Sequence, residues 1–152
     1  MSTAPLDTNL ALPPGRLNLR VGLWLERGDA LLLQREHSDP FWTVPGGRLR
    51  LGETLEQGLR REMREELGLE LGPLRLCGLV ENFYAWKGQA VNEWLWLMKD
   101  SCPGAAELQS REPQLEFSWW PLNELPDLRP LALKEWRGKT DFLHAVQGHD
   151  TT

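Results

Sequence analysis

Residues 61–66 read Arg-Glu-Met-Arg-Glu-Glu and bring three carboxylates, Glu62, Glu65 and Glu66, into a short span. On a helix turning about 100° per residue, the three gather along one margin of the face that carries Leu55, Leu59, Met63 and Leu67. Arg60 and Arg64 project to the opposite side. A simple ion-paired helix alternates opposite charges on one face, and this one does not. Like charges beside an apolar face repel unless a cation stands among them. A hard divalent ion bound through oxygen, Mg²⁺ or Mn²⁺, suits such a cluster. A solvated charged face is the alternative that spacing alone leaves open.

The surrounding sequence supplies the elements to hold that helix. Thr54 with Gln57 three residues later forms a capping-box pattern, and Gly68 stands where a helix-ending glycine belongs. Before it, Leu17 to Glu26 and Ala30 to Arg35 alternate as strands around the turn Arg27-Gly28-Asp29 and suggest a hairpin. Phe41 to Val44 is a short extended piece, and Gly46-Gly47 a flexible joint. After the helix, Leu74 to Asn82 and Ala90 to Met98 read as strands joined by a loop over Phe83 to Gln89. A polar loop over 99–114, a strand over Leu115 to Trp120, and a C-terminal helix over Leu131 to Val146, weakened by Gly138, complete the pattern. Glu81-Asn82 and Asn92-Glu93 are polar groups inside otherwise apolar strands, explained by a polar strand face or by substrate contact.

Composition narrows the function classes. The chain of 152 residues suits one domain, with 41% apolar and 26% charged residues and a net charge of −5. That balance speaks against stable nucleic-acid binding, which needs clustered positive charge. It admits a polyphosphate ligand, because bound cations supply the missing charge. The two cysteines, Cys77 and Cys102, form no CxxC pair, and the histidines His37, His144 and His149 are scattered, so neither residue type suggests a metal site. The N-terminal residues lack a signal-peptide pattern and no apolar run reaches membrane-spanning length. The expectation is a cytoplasmic protein without membrane association, its oligomeric state open.

The spacing is more specific than the charge. Gly47, five residues, Glu53, seven residues, then Arg61-Glu62-Met63-Arg64-Glu65-Glu66-Leu67-Gly68-Leu69 resembles the signature of the Nudix hydrolase family at every position. Pro45-Gly46-Gly47 and the later WWPLNELP agree with it. The resemblance implies an α/β fold, an α/β/α sandwich with a mixed β-sheet between helices. It would span 17–147, after a flexible lead-in of 1–16 and before a tail of 148–152. It implies a pyrophosphohydrolase that cleaves a nucleoside diphosphate linked to another group, with Mg²⁺ as cofactor and Mn²⁺ as substitute. The partner is then a nucleotide-type small molecule: a nucleoside triphosphate, a dinucleoside polyphosphate or a nucleotide sugar. A noncatalytic nucleotide sensor on the same fold is the rival reading.

Position by position, the resemblance implies Glu62, Glu65 and Glu66 as metal ligands, joined by the backbone carbonyl of Gly46. Glu53 and Arg61 match positions that brace loop and helix. The catalytic base comes from a motif glutamate, Glu53 or Glu65, or from a later loop. There Glu107, Glu112 and Glu116 are candidates, and Glu112, between Arg111 and Pro113, is favoured. Arg35 could reach a substrate phosphate or be a solvated strand end. Phe83, Tyr84 and Trp86 could stack on a nucleobase or pack against the sheet edge.

Overall fold

The computed structural model of the chain describes residues 7–12, 14–101, 104 and 107–148. Cys102, His149 and parts of the expected lead-in and tail lie outside the described residues. The fold is mixed α/β: strands β1 (Asn9–Leu12), β2 (Gly15–Trp24), β3 (Glu26–Arg27), β4 (Ala30–Glu36) and β5 (Gly46–Arg48), then helix α1 (Leu55–Leu67). Strands β6 (Leu74–Trp86), β7 (Gln89–Asp100) and β8 (Leu115–Pro121), a 3₁₀ helix (Leu131–Trp136) and β9 (Leu143–Gln147) follow.

The strands form two sheets. The larger has the order β1-β2-β7-β6-β9, and β5 also pairs with β2. It is mixed, because β2–β7 and β6–β9 run parallel while β1–β2, β2–β5 and β6–β7 run antiparallel. The smaller sheet is β3-β4-β8. Leu25 ends the long second strand, so the expected hairpin is only the short β3–β4 pair, and β2 joins the other sheet.

Alternation along the strands fills two cores, one on each face. Val21, Leu23, Leu32 and Met98 pack with Leu59, Met63 and Leu67 of α1. Leu95, Leu97, Val80 and Trp24 pack with Leu31, Leu33, Leu128, Leu133 and Trp136. The helix begins and ends as its sequence predicts. Thr54 and Gln57 exchange reciprocal bonds of 2.9 and 3.1 Å, and Gly68 closes the helix with φ of +62°.

Three expectations are corrected. Residues 83–89 are not a loop: β6 runs on to Trp86 and β7 resumes at Gln89. Only Lys87 and Gly88 turn, with φ of +48° and +77°, the sign that a two-residue hairpin matched to strand twist requires. Leu131 to Val146 is not a helix. The 3₁₀ turn buries Leu133 and Trp136, Gly138 takes φ of +68°, and β9 pairs parallel with the open edge of β6. Good helix formers yield there to pairing with a sheet edge. Residues 9–12 of the lead-in form β1, and β2 begins at Gly15. Among the described residues, no helix is long and apolar enough to cross a membrane.

Trp136 fixes the 3₁₀ turn against β6. Its indole Nε1 donates to the Cys77 carbonyl at 3.0 Å, and its ring lies over Gly78, where a Cβ would collide with the ring atoms. Gly78→Ala should therefore lower stability by about 1–3 kcal/mol, read as a shift in urea midpoint. An unchanged midpoint would show that the indole is not packed there.

Candidate functional site

The charged groups of the motif are organised by one guanidinium. Arg61 Nε donates to Glu53 Oε2 at 2.7 Å and Nη2 to Glu53 Oε1 at 3.0 Å, a two-bond fork. Nη2 also reaches the Arg48 carbonyl at 3.1 Å, and Nη1 donates to Glu62 at 2.9 Å and Glu65 at 3.4 Å. Glu53 further accepts from the Arg50 amide at 2.8 Å. The Arg61 bond holds the Glu53 carboxyl below its usual range, and the Glu53 bond raises Arg61. Arg61 thus ties the loop before the helix to two carboxylates on it.

Glu62 lies directly against that loop. A Cβ on Gly47 would stand 2.5 Å from its carboxyl carbon, so any side chain there would push the Glu62 carboxylate aside. Glu66 is deeper, 9% exposed, and its Oε2 is buried without a partner. Burial, then the nearby Glu62 carboxylate, pushes its pKa up to about 9; Arg20 opposes this and Glu112 adds to it. Glu65 is more open, 47% exposed, and pairs with Arg50 at 3.9 Å as well as Arg61. Arg60 and Arg64 stay apart from the cluster. Arg60 donates to the carbonyls of Leu71 and Gly72, and Arg64 to Glu70.

The residues fit a divalent cation in one specific respect. A buried carboxyl set beside a second carboxylate keeps its proton, as the raised pKa of Glu66 records, unless positive charge stands next to it. Among the described residues, no three His, Cys, Asp or Glu side chains converge into a ready cage. Glu62 and Glu65 turn to Arg61 instead.

The candidates outside the helix divide. The Arg111 amide donates to the Glu66 carbonyl at 2.7 Å, and the Arg111 guanidinium packs on Gly68 at the helix end. Glu112 follows at once, half-buried, and lies near enough to raise Glu66. Glu116 is on β8, opposite Arg35, and bonds it at 2.9 Å. Arg35 also lies 4.7 Å over the Trp42 ring, so it is engaged away from the motif. Glu107 is exposed.

Tyr84 and Trp86, at the far end of β6, line two adjoining clefts. One, of about 550 Å³, adds Arg20, Phe41, Phe83, Asn82, Glu93 and Arg129. The other, of about 410 Å³, adds Asn9, Arg16, Asn18 and Arg48. Sequence reasoning missed Arg20. Its position on a strand between the motif and the cleft is a matter of pairing, since it stands opposite Arg48 in β5.

The family model of the NUDIX domain matches residues 16–145. An uncharacterized Nudix hydrolase of Bacillus subtilis is 29% identical over 110 residues, 71% of this chain and 68% of that protein. A human 8-oxo-dGDP phosphatase is 28% identical over 148 residues, 89% of this chain, which spans only 41% of that protein. A MutT protein structure from Bacillus halodurans superposes with a TM-score of 0.69 at 21% identity, covering 85% of this chain and 88% of that one.

Glu66→Gln should raise the melting temperature of metal-free protein at pH 8 by roughly 3–8 °C. The sign follows from the direction of the shift. A carboxyl whose folded pKa lies near 9, above its ordinary 4.5, costs stability as pH rises between those values. The gain should therefore shrink toward pH 5. A melting temperature that falls at pH 8 would mean that the Glu66 carboxylate is paired in the metal-free protein.

Proposed function

This chain belongs to the Nudix family, and from that premise we propose that it is a Mg²⁺-dependent pyrophosphohydrolase. It cleaves a nucleoside diphosphate linked to another group by attack of water at phosphorus. The observation that carries the reading is the buried, partnerless carboxylate oxygen of Glu66 beside Glu62, inside a motif complete at every position. Glu62, Glu65, Glu66 and the Gly46 carbonyl would hold the cation, and Mn²⁺ could replace Mg²⁺ through the same oxygen ligands. When bound, that ion neutralises phosphate charge, orients the diphosphate and acidifies the attacking water.

The remaining work falls to the chain. Arg61 and Glu53 keep loop and helix in register, so that the carboxylates face one point. Glu112 takes the proton from water; the Arg111 anchors on the helix end hold it beside Glu66. Tyr84 and Trp86 offer flat faces for a nucleobase in the larger cleft, and Arg20, which reaches Glu93 only at 3.5 Å while Arg35 is held by Glu116 at 2.9 Å, lies between that cleft and Glu66 for a phosphate. The human relative's named substrate class, an oxidised deoxynucleoside diphosphate, belongs with nucleoside triphosphates, dinucleoside polyphosphates and nucleotide sugars in the panel to be tested.

The test is that panel with and without Mg²⁺, scored for phosphate, pyrophosphate and nucleoside monophosphate release. Turnover should require the cation, and Glu66→Gln should reduce it by orders of magnitude. Nucleotide binding without turnover of any substrate would replace the enzyme by a sensor. Glu112→Gln should lower kcat by about 10²–10³ while Mg²⁺ affinity stays within about threefold. An unchanged kcat would move the base to Glu53, Glu65 or Glu116.

A further inference from the structure

The polar residues inside apolar strands, Asn82 and Glu93, come together on one sheet face. Asn18 on β2 stands opposite Glu93 on β7, and Glu93 opposite Asn82 on β6, so the three lie abreast across adjacent strands. Glu93 is only 4% exposed, yet it lines the 550 Å³ cleft. A carboxylate that deep should receive short bonds; charge-assisted ones run about 2.7–2.9 Å. Its partners stay at the outer limit. Arg20 Nη1 and the Tyr84 hydroxyl reach Oε1 at 3.5 Å each, and Asn82 Nδ2 reaches Oε2 at 3.5 Å. Neither oxygen therefore has a short bond, and both keep acceptor capacity.

Phe41, Phe83, Tyr84 and Trp86 line the same cleft, which suits a flat ring. A flat ring that satisfies a carboxylate presents two adjacent N–H donors. Guanine does so with N1–H and the N2 amine. Adenine sets an acceptor, N1, beside its amine, and cytosine sets N3 beside its own. Uracil flanks a single N–H with two carbonyls. Next to Glu93, the Asn82 amide is placed to donate to guanine O6. We infer that Glu93 is the residue that selects a guanine-type base, reading its two-donor edge at the end of the cleft. The inference rests on the reading above, in which this cleft receives the nucleoside.

Binding separates the two readings, because it needs no turnover. The probes are the α,β-methylene diphosphates of guanosine, inosine and adenosine, measured by calorimetry with Mg²⁺ on the wild-type chain. The guanosine compound should bind at least about tenfold more tightly than the inosine compound, which lacks the N2 amine, and than the adenosine compound. In Glu93→Gln the guanosine-to-adenosine preference should fall to within about threefold, since a carboxamide offers one acceptor and one donor. Equal affinities in the wild type, or no binding by the guanosine compound, would overturn the inference, whether or not the variant folds. Guanine-selective binding together with no turnover of hydrolysable nucleotides would sink the hydrolase reading and support this one. Base-blind binding with Mg²⁺-dependent turnover would do the reverse.

Discussion

Everything at this site depends on the fork between Arg61 and Glu53. One guanidinium, 17% exposed, bonds Glu53, Glu62, Glu65 and the Arg48 carbonyl. A lysine offers a point charge and no planar fork, so it could not hold three carboxylates and a carbonyl in fixed directions at once. Without Arg61, the loop from Gly46 to Glu53 and the helix would be joined by packing, such as Leu49 against the helix face, and by the longer Arg50–Glu65 pair at 3.9 Å. With it, Gly47 of the loop is pressed against Glu62. The repulsion among Glu62, Glu65 and Glu66 is thereby contained rather than removed, and Glu66, which Arg61 does not reach, is raised first by its burial and then by Glu62.

The second constraint is the division of labour on β2. Its odd-numbered residues, Val21 and Leu23, lie under α1, and its even-numbered ones face the other side of the sheet. Arg20 and Asn18 are on that other side, in or beside the clefts, while Gly22 and Trp24 continue into the apolar core. One strand thus changes from apolar to polar along its length on a single face. The change coincides with the end of the β6–β7 hairpin, where Asn82, Tyr84 and Glu93 meet. The tight Lys87-Gly88 turn extends both strands far enough to build that end.

Local signals in the sequence specified the helix. Thr54, Gln57 and Gly68 set its limits, and the four-residue recurrence of Leu55, Leu59, Met63 and Leu67 set its buried face. The carboxylate cluster followed from the same geometry. The β6–β7 hairpin was misread because Lys-Gly is a weaker turn signal than Asn-Gly, and Tyr, Trp and Lys resemble a polar loop. The C-terminal strand was hidden for a different reason. Residues 143–147 gain a partner only when β6 presents an unpaired edge, and no local propensity records that. Glu93 was legible as a polar residue in a strand and Arg20 was not singled out, and their convergence depends on the parallel register of β2 with β7, a long-range fact.

The loop of 107–114 shows how a short helix can recruit a distant residue. The end of α1 exposes carbonyls and carries the negative end of the helix dipole. Arg111 meets both needs: its amide takes the Glu66 carbonyl, and its guanidinium lies over Gly68, where any side chain would block it. The glycine that ends the helix by adopting a left-handed backbone therefore also clears the seat for the loop. Once Arg111 is seated, the chain direction delivers Glu112 to the Glu66 side, and Ser110 fixes it by bonds of 2.8 and 3.2 Å to the Glu112 carbonyl and amide. A carboxylate arriving next to a buried carboxylate raises the electrostatic cost further. The seating of this loop and the retention of the Glu66 proton are therefore coupled through the same repulsion.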